Sequence, residues 1–182
     1  MRNLMYRKAF SLFFFLFAFL IQGLFAQSED VVIIDSEYAQ KQQVMDNLPS
    51  GASIIEVPST GNPWNSIRTY LEQNRTAQAI HLFANTSYNA IQLGGKTYDS
   101  NAVDQEFELS MMEGLYQGTH LQLLIYDCNL GSNPEGLSLL KKISDKAYMN
   151  IAVPTQCSSV FGADVDFDHT TMNQPIHNSI LQ

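Results

Sequence analysis

The sequence predicts an α/β fold built on a mostly parallel sheet of about five to six strands, with helices on both faces. Three observations lead there. Short apolar runs alternate with segments of helical periodicity along the chain. The apolar runs are continuous rather than alternating, as in strands covered on both faces. Two helical segments open on a capping side chain followed at once by proline, Asn62-Pro63 and Ser132-Asn133-Pro134.

The elements follow in order. Val31 to Asp35 is an apolar run closed by polar residues, and Tyr38 to Leu48 reads as a helix stopped by Pro49-Ser50-Gly51. Ser53 to Val57 is the second strand. After Asn62-Pro63, the residues Trp64, Ile67 and Leu71 share one helical face and read as core contacts. Ala79 to Ala84 is the third strand, and Ala90 to Tyr98 reads as a hairpin turning at Gly94-Gly95. Ser100 is placed to cap a helix over 101–116, and Leu121 to Tyr126 is the most apolar strand. Leu137, Leu140 and Ile143 line the helix after Pro134, and Tyr148 to Val153 is a fifth strand. Ala163 to Phe167 is expected to add an edge strand, and the last dozen residues read as irregular.

The N-terminus has a different character. Met1 to Lys8 carries Arg2, Arg7 and Lys8 with no acid, and Ala9 to Phe25 is almost wholly apolar. Ala26 then precedes polar Gln27-Ser28-Glu29-Asp30, so residues 1–26 read as a signal peptide cleaved after Ala26; retention as a membrane anchor is the alternative. The residue directly after the cleavage point is Gln27 rather than cysteine, which leaves a lipoprotein anchor without support. About 156 residues remain as one α/β domain, 27–182, with no membrane attachment, and the expected location is periplasmic, cell-surface or extracellular. The segment removes three of the ten positive side chains and none of the eighteen acids, so the remainder has seven against eighteen, a net of −11. Without a clustered basic face, nucleic acid is excluded as a partner. A protein or cell-surface partner is the open alternative.

Chemistry in parallel sheets collects at the carboxyl ends of the strands. The residues there are Asp35 and Ser36, 84–87, 127–132 and 154–159. Cys128 follows a buried strand and precedes a helix, where a thiol can meet backbone N–H groups able to hold an oxyanion. The same cysteine also fits an inert apolar position or a disulfide with Cys157, which follows the next strand and would be favoured to pair in an oxidising compartment. No spacing of Cys and His suits a structural zinc. In extended chain, Asp164, Asp166 and Asp168 would share one face, which suits either a calcium ion or a charged surface protecting a sheet edge. No other cofactor is indicated. Asn74-Arg75-Thr76 and Asn85-Thr86-Ser87 fit the N-glycosylation pattern, a motif common by chance.

The chain resembles the caspase-like cysteine peptidases, whose layout is an apolar strand ending in His-Gly and, some forty residues later, an apolar strand ending in an acidic or small residue and Cys. More closely, Val32-Ile33-Ile34-Asp35-Ser36, Leu48-Pro49-Ser50-Gly51-Ala52, Ala79-Ile80-His81-Leu82, Ile91-Gln92-Leu93-Gly94 and Tyr126-Asp127-Cys128-Asn129-Leu130 resemble a bacterial domain of unknown function, number 4347, over about residues 31–160. The resemblance implies a caspase-like three-layer sandwich, found near the N-terminus of large exported or surface proteins. It places Cys128 at the nucleophile position and His81 inside the third strand. Where the family usually shows Ser-His-Gly-Ser, this chain has Ala84-Asn85-Thr86-Ser87, so Asn85 occupies the place of the expected histidine, and Asp127 stands where glycine is common.

An imidazole can take a thiol proton and return it, whereas asparagine can do neither. The Asp127 carboxylate would also oppose thiolate formation at Cys128. His81 should lie about 13 Å deeper along its strand and reads as a packed core residue. His120 precedes the fourth strand at the opposite edge, while His169 and His177 belong to the tail, from which one could fold back over the crevice. The expectation is therefore an exported, non-catalytic binding or surface-associated module. A cysteine hydrolase using Cys128 with a base such as His169, and a calcium-dependent surface module, are the alternatives.

Overall fold

The computed structural model describes residues 30–115, 121–157 and 161–182. The expected signal peptide with its cleavage point, and His120, lie outside the described residues. The described chain runs β1 (Asp30–Asp35), α1 (Lys41–Asp46), β2 (Ser53–Val57), α2 (Pro63–Gln73), β3 (Ala79–Phe83), β4 (Asn85–Ser87), β5 (Ala90–Leu93) and β6 (Lys96–Tyr98). It continues through α3 (Ser100–Gln105), α4 (Phe107–Met112), a 3-10 turn (Glu113–Leu115), β7 (Gln122–Ile125), α5 (Pro134–Ala147), β8 (Asn150–Val153) and β9 (His169–Thr170).

The main sheet has the order β2-β1-β3-β7-β8-β9. All neighbours are parallel except β9, which runs antiparallel to β8. Ile33 pairs with Leu82 and His81 with Leu124, so the centre of the sheet is in tight register. A separate three-stranded antiparallel sheet, β4-β5-β6, follows β3.

Every residue of β3, β7 and β8 is buried, which explains their unbroken apolar character. Alternation divides them into two cores. Val31, Ile33, Ile80, Leu82, Leu123, Ile125, Ile151 and Val153 face the helices, against Trp64, Ile67 and Leu71 of α2, Leu109 and Met112 of α4, and Leu140 and Ile143 of α5. Each of those Leu and Ile side chains contributes roughly 1.5–3 kcal/mol by leaving water. Val32, Ile34, Phe83, Leu124, Tyr126 and Ala152 face the other way, against Val44 of α1 and Val165, Phe167 and Leu181 of the tail. The result is a mixed α/β sandwich of three layers whose second outer layer is one short helix and an irregular segment.

Local signals account for most boundaries. The Asn62 side chain accepts hydrogen bonds from the N–H groups of Trp64 and Asn65, and Asn133 accepts from Gly136, each with proline in the first turn. Several expectations are corrected. Helix α1 spans Lys41–Asp46 rather than 38–48, because Tyr38 is used in a turn onto the Asp35 carbonyl. Asp99, not Ser100, caps α3 by accepting from Ala102 N–H. The helix expected over 101–116 breaks at extended Glu106, whose carboxylate accepts from Glu108 N–H and from the Asn62 amide. Tyr148 adopts a left-handed conformation (φ 54°) that ends α5, so β8 begins at Asn150.

The edge strand expected at 163–167 lies instead at His169–Thr170. Val165 and Phe167 are drawn down onto the second face, where Phe167 meets the Tyr126 ring edge-on at 5.2 Å, so that segment crosses the face rather than extending the sheet.

Polar groups within the strands hold the tail there. The Tyr126 hydroxyl accepts from Ile180 N–H at 2.8 Å, donates to Ser179 Oγ at 3.3 Å and lies 2.8 Å from His81 Nδ1. Gln122 donates to the Pro175 carbonyl and accepts from His177 N–H, each at 2.9 Å, and Asn150 Oδ1 accepts from Met172 N–H at 3.0 Å. The Asp30 carboxylate lies 3.5 Å from His81 Nε2 and 3.3 Å from His177 Nδ1.

Burial acts to raise the Asp30 carboxyl, but hydrogen bonding and charge from His81, and then from His177, outweigh it and hold the group below the ordinary carboxylate value. A depressed folded-state pKa means that the contribution to stability is complete above about pH 3.9 and is lost as pH falls through the lower folded value. Urea unfolding followed from neutral pH to acid is expected to show a steeper acid loss for the wild type than for Asp30→Asn. Identical pH dependence would contradict this linkage. Tyr126→Phe strands the Ile180 N–H beneath the tail and is expected to cost about 1–3 kcal/mol in the same measurement at neutral pH.

Candidate functional site

The chain leaves β1 for the sheet edge at β2 and then returns past β1 to β3, so the strand order reverses between β1 and β3. Crevices in open parallel sheets form at the carboxyl ends of such a pair. Here that position is occupied by Asp35 and Glu37 after β1 and by Asn85 after β3, with the β5–β6 hairpin folded over them.

Asp35 fixes the hairpin. Its buried carboxylate accepts from Glu37 N–H at 2.8 Å and, across 59 residues of sequence, from Gly94 N–H at 2.6 Å. Gly94 and Gly95 turn with φ of 63° and 70°, and a Cβ on Gly95 would collide with the Ser59 carbonyl oxygen. The hairpin is thereby locked against the loop before α2. A small polar cavity of about 160 Å³ remains, lined by Asp35, Glu37, Asn85, Gln92, Lys96 and Thr97.

The sequence-derived candidates fall as follows. The Asn85 amide donates to the Glu37 carbonyl at 3.2 Å and so ties the β1 loop to β4. Asp127 accepts from Asn129 N–H at 2.7 Å in a local turn, and Asn129 reaches the Thr86 carbonyl at 3.4 Å. Burial, with the Asp127 charge added, pushes the Tyr38 hydroxyl up to about 12. Cys128 and Cys157 are joined in a disulfide with Cα atoms 5.2 Å apart, and no free cysteine remains among the described residues. Cys128 is buried and Cys157 exposed.

The histidines are elsewhere. His81 is wholly buried on the tail-covered face, against Tyr126. His169 pairs with Val153 on the edge strand, and His177 sits by Asp30 at the opposite end of β1. Among the described residues no hydrogen bond links the Cys128 side chain to a histidine, to Asn85 or to Asp127. In this structure Cys128 therefore carries no thiol, and the cysteine and histidine positions are not brought together.

Asp164 and Asp166 point outward and alternate with buried Val165 and Phe167, though in an irregular segment rather than a strand. Asp168 accepts from the N–H and hydroxyl of Thr155. Burial acts to raise its carboxyl, and these Thr155 bonds outweigh it and draw the group down. Asp168 thus staples the tail to the loop that carries Cys157. Among the described residues no three His, Cys, Asp or Glu side chains form a metal-ligating group, and no helix is long and apolar enough to cross a membrane.

A larger cavity, about 470 Å³, lies beside the β4–β5 turn, lined by Asn89, Asp99, Asn101, Glu135, Ser138 and Leu139 among others. Sequence reasoning missed it, because its walls come from the β4–β5 turn, the start of α3 and the start of α5. The available signal was the pair of capped helix starts, at Asp99 and Asn133, each following a strand end.

The sequence profile of one family, described as a domain of unknown function (DUF4347), matches residues 31–171 of the chain. No curated protein matches, and no solved structure does.

The disulfide closes a segment spanning 29 residues. Loop-closure entropy for that length gives a stabilisation of about 3–4 kcal/mol. Cys157→Ala is expected to lower the urea midpoint accordingly, and wild type treated with a reductant should shift to match it; a reduced wild type as stable as the oxidised form would contradict the linkage.

Proposed function

The chain belongs to this family of unknown function, and from that premise we propose that it is an exported, non-catalytic binding module on a caspase-like scaffold, presenting the carboxyl edge of its sheet to a partner. The observation that carries this reading is the Cys128–Cys157 disulfide. It occupies the one sulfur that family resemblance places at a nucleophile position, and Asn85 stands where acyl transfer needs a proton acceptor. The polar crevices flanking the hairpin sheet supply the binding surface.

Export is supported by the charged and apolar N-terminal segment before Gln27 and by the disulfide, a bond that persists in oxidising compartments. The excess of acids favours a protein or cell-surface partner over nucleic acid.

The test is the intact mass of protein taken from its native compartment after brief alkylation, with and without reduction, across a range of pH. The expected result is a chain beginning at Gln27 that takes no label until reduced and then takes two. Rapid labelling of unreduced protein at Cys128 well below pH 8 would overturn the non-catalytic reading in favour of a cysteine hydrolase.

A further inference from the structure

We propose that the larger crevice is a binding site for a neutral saccharide of one or two rings, an inference that rests on the binding-module reading and names the ligand class for that edge. Its volume of about 470 Å³ is within the roughly 300–1,000 Å³ typical of small-molecule sites, and its walls are half polar and half apolar where such sites are predominantly apolar. Three segments distant in sequence converge on it: Asn89 from the β4–β5 turn, Asp99 and Asn101 from the start of α3, and Glu135 and Ser138 from the first turns of α5.

These groups line the cavity without consuming one another. Among the described residues, the Asn101 amide, the Glu135 carboxylate and the Ser138 hydroxyl make no hydrogen bond. Asn89 has only a 3.4 Å contact to its oxygen from the Ser87 hydroxyl, and Asp99 uses one oxygen on Ala102 N–H. A ligand bearing several hydroxyls, each both donor and acceptor, matches a wall of amides, carboxylates and a hydroxyl.

Charge narrows the class further. Asp99 and Glu135 repel phosphates and carboxylates. Both also lie at helix starts, where the partial positive charge of the aligned backbone offsets theirs and weakens the attraction for a free cation. A neutral ligand is what this balance favours. Buried Leu139 and the Pro134 ring supply an apolar patch within the cavity, suited to the C–H face of a sugar.

The experiment is an amide chemical-shift titration of the isotope-labelled mature chain with glucose, galactose, N-acetylglucosamine and their disaccharides, with calcium, spermidine and short cationic peptides as parallel probes. At least one saccharide is expected to give saturable shifts at residues 89, 99–101 and 135–138. Asn101→Ala, which removes no cap, should weaken that binding roughly 3- to 12-fold, the worth of one hydrogen bond. Glu135→Gln, which keeps the hydrogen-bonding oxygen, should leave it nearly unchanged. Shifts at these residues from calcium or spermidine alone, abolished by Glu135→Gln, overturn the saccharide assignment. Shifts from peptides alone also overturn it and leave the binding-module reading standing. Silence along the whole carboxyl edge with every probe overturns both.

Discussion

A parallel sheet whose central strands are apolar on both sides must be covered twice, and most of what distinguishes this chain follows from how the second cover is supplied. Helices α2, α4 and α5 bury one face by ordinary ridge-and-groove contact. Among the described residues, the other face has only the six-residue α1 and a tail with no regular structure beyond β9. An irregular segment laid on an apolar surface leaves backbone N–H and C=O groups without partners, and each one buried that way is costly. The sheet answers with polar side chains at three points in its own strands and strand ends. Tyr126, Gln122 and Asn150 meet the N–H groups of Ile180, His177 and Met172, and Gln122 also meets the Pro175 carbonyl.

That requirement gives His81 its place. A histidine in the middle of a buried strand is expensive unless its ring is engaged, and here one nitrogen meets the Tyr126 hydroxyl while the other faces Asp30. The Asp30–His81–Tyr126–Ser179 chain resembles a catalytic relay in composition. It opens onto no described cavity, however, and its end point is the tail backbone, so its work is to seat the tail.

The sequence made some of this legible because the signals were local. Asn62-Pro63 and Asn133-Pro134 set helix starts through their own side chains, and Gly94-Gly95 turns a hairpin because only glycine tolerates both positive φ values there. The disulfide is one of three readings that the sequence allows for Cys128, since spacing brings the sulfurs to the same sheet edge without bonding them. What was hidden was set from a distance. Glu106 breaks a periodic helix because Asn62, 44 residues away, bonds its carboxylate. Asp99 outcompetes Ser100 as a cap, a choice between adjacent capping residues that pattern alone does not make. Polar residues inside the strands read as core or noise until the tail is seen lying on them. The larger crevice depends on α3 being held against α5 by Lys142 on Asp104 and Lys146 on the Asp104 carbonyl, contacts with no sequence signature.

The two ends of the sheet consequently have different duties. At the amino ends of the strands, Asp30, His177 and Gln122 are spent on the tail. At the carboxyl ends, Asp35, Asn85, Asn129 and Asp168 tie loops to one another, and the disulfide ties the β7 and β8 loops together. These ties engage Asp35 and Asn85 in holding loops, while the larger crevice keeps Asn101, Glu135 and Ser138 without hydrogen-bond partners among the described residues. A site held in place before the ligand arrives loses little conformational freedom on binding, so modest hydrogen bonds translate into affinity. On the proposed reading, the same clamps that hold Cys128 in a disulfide are what would suit this edge to recognition.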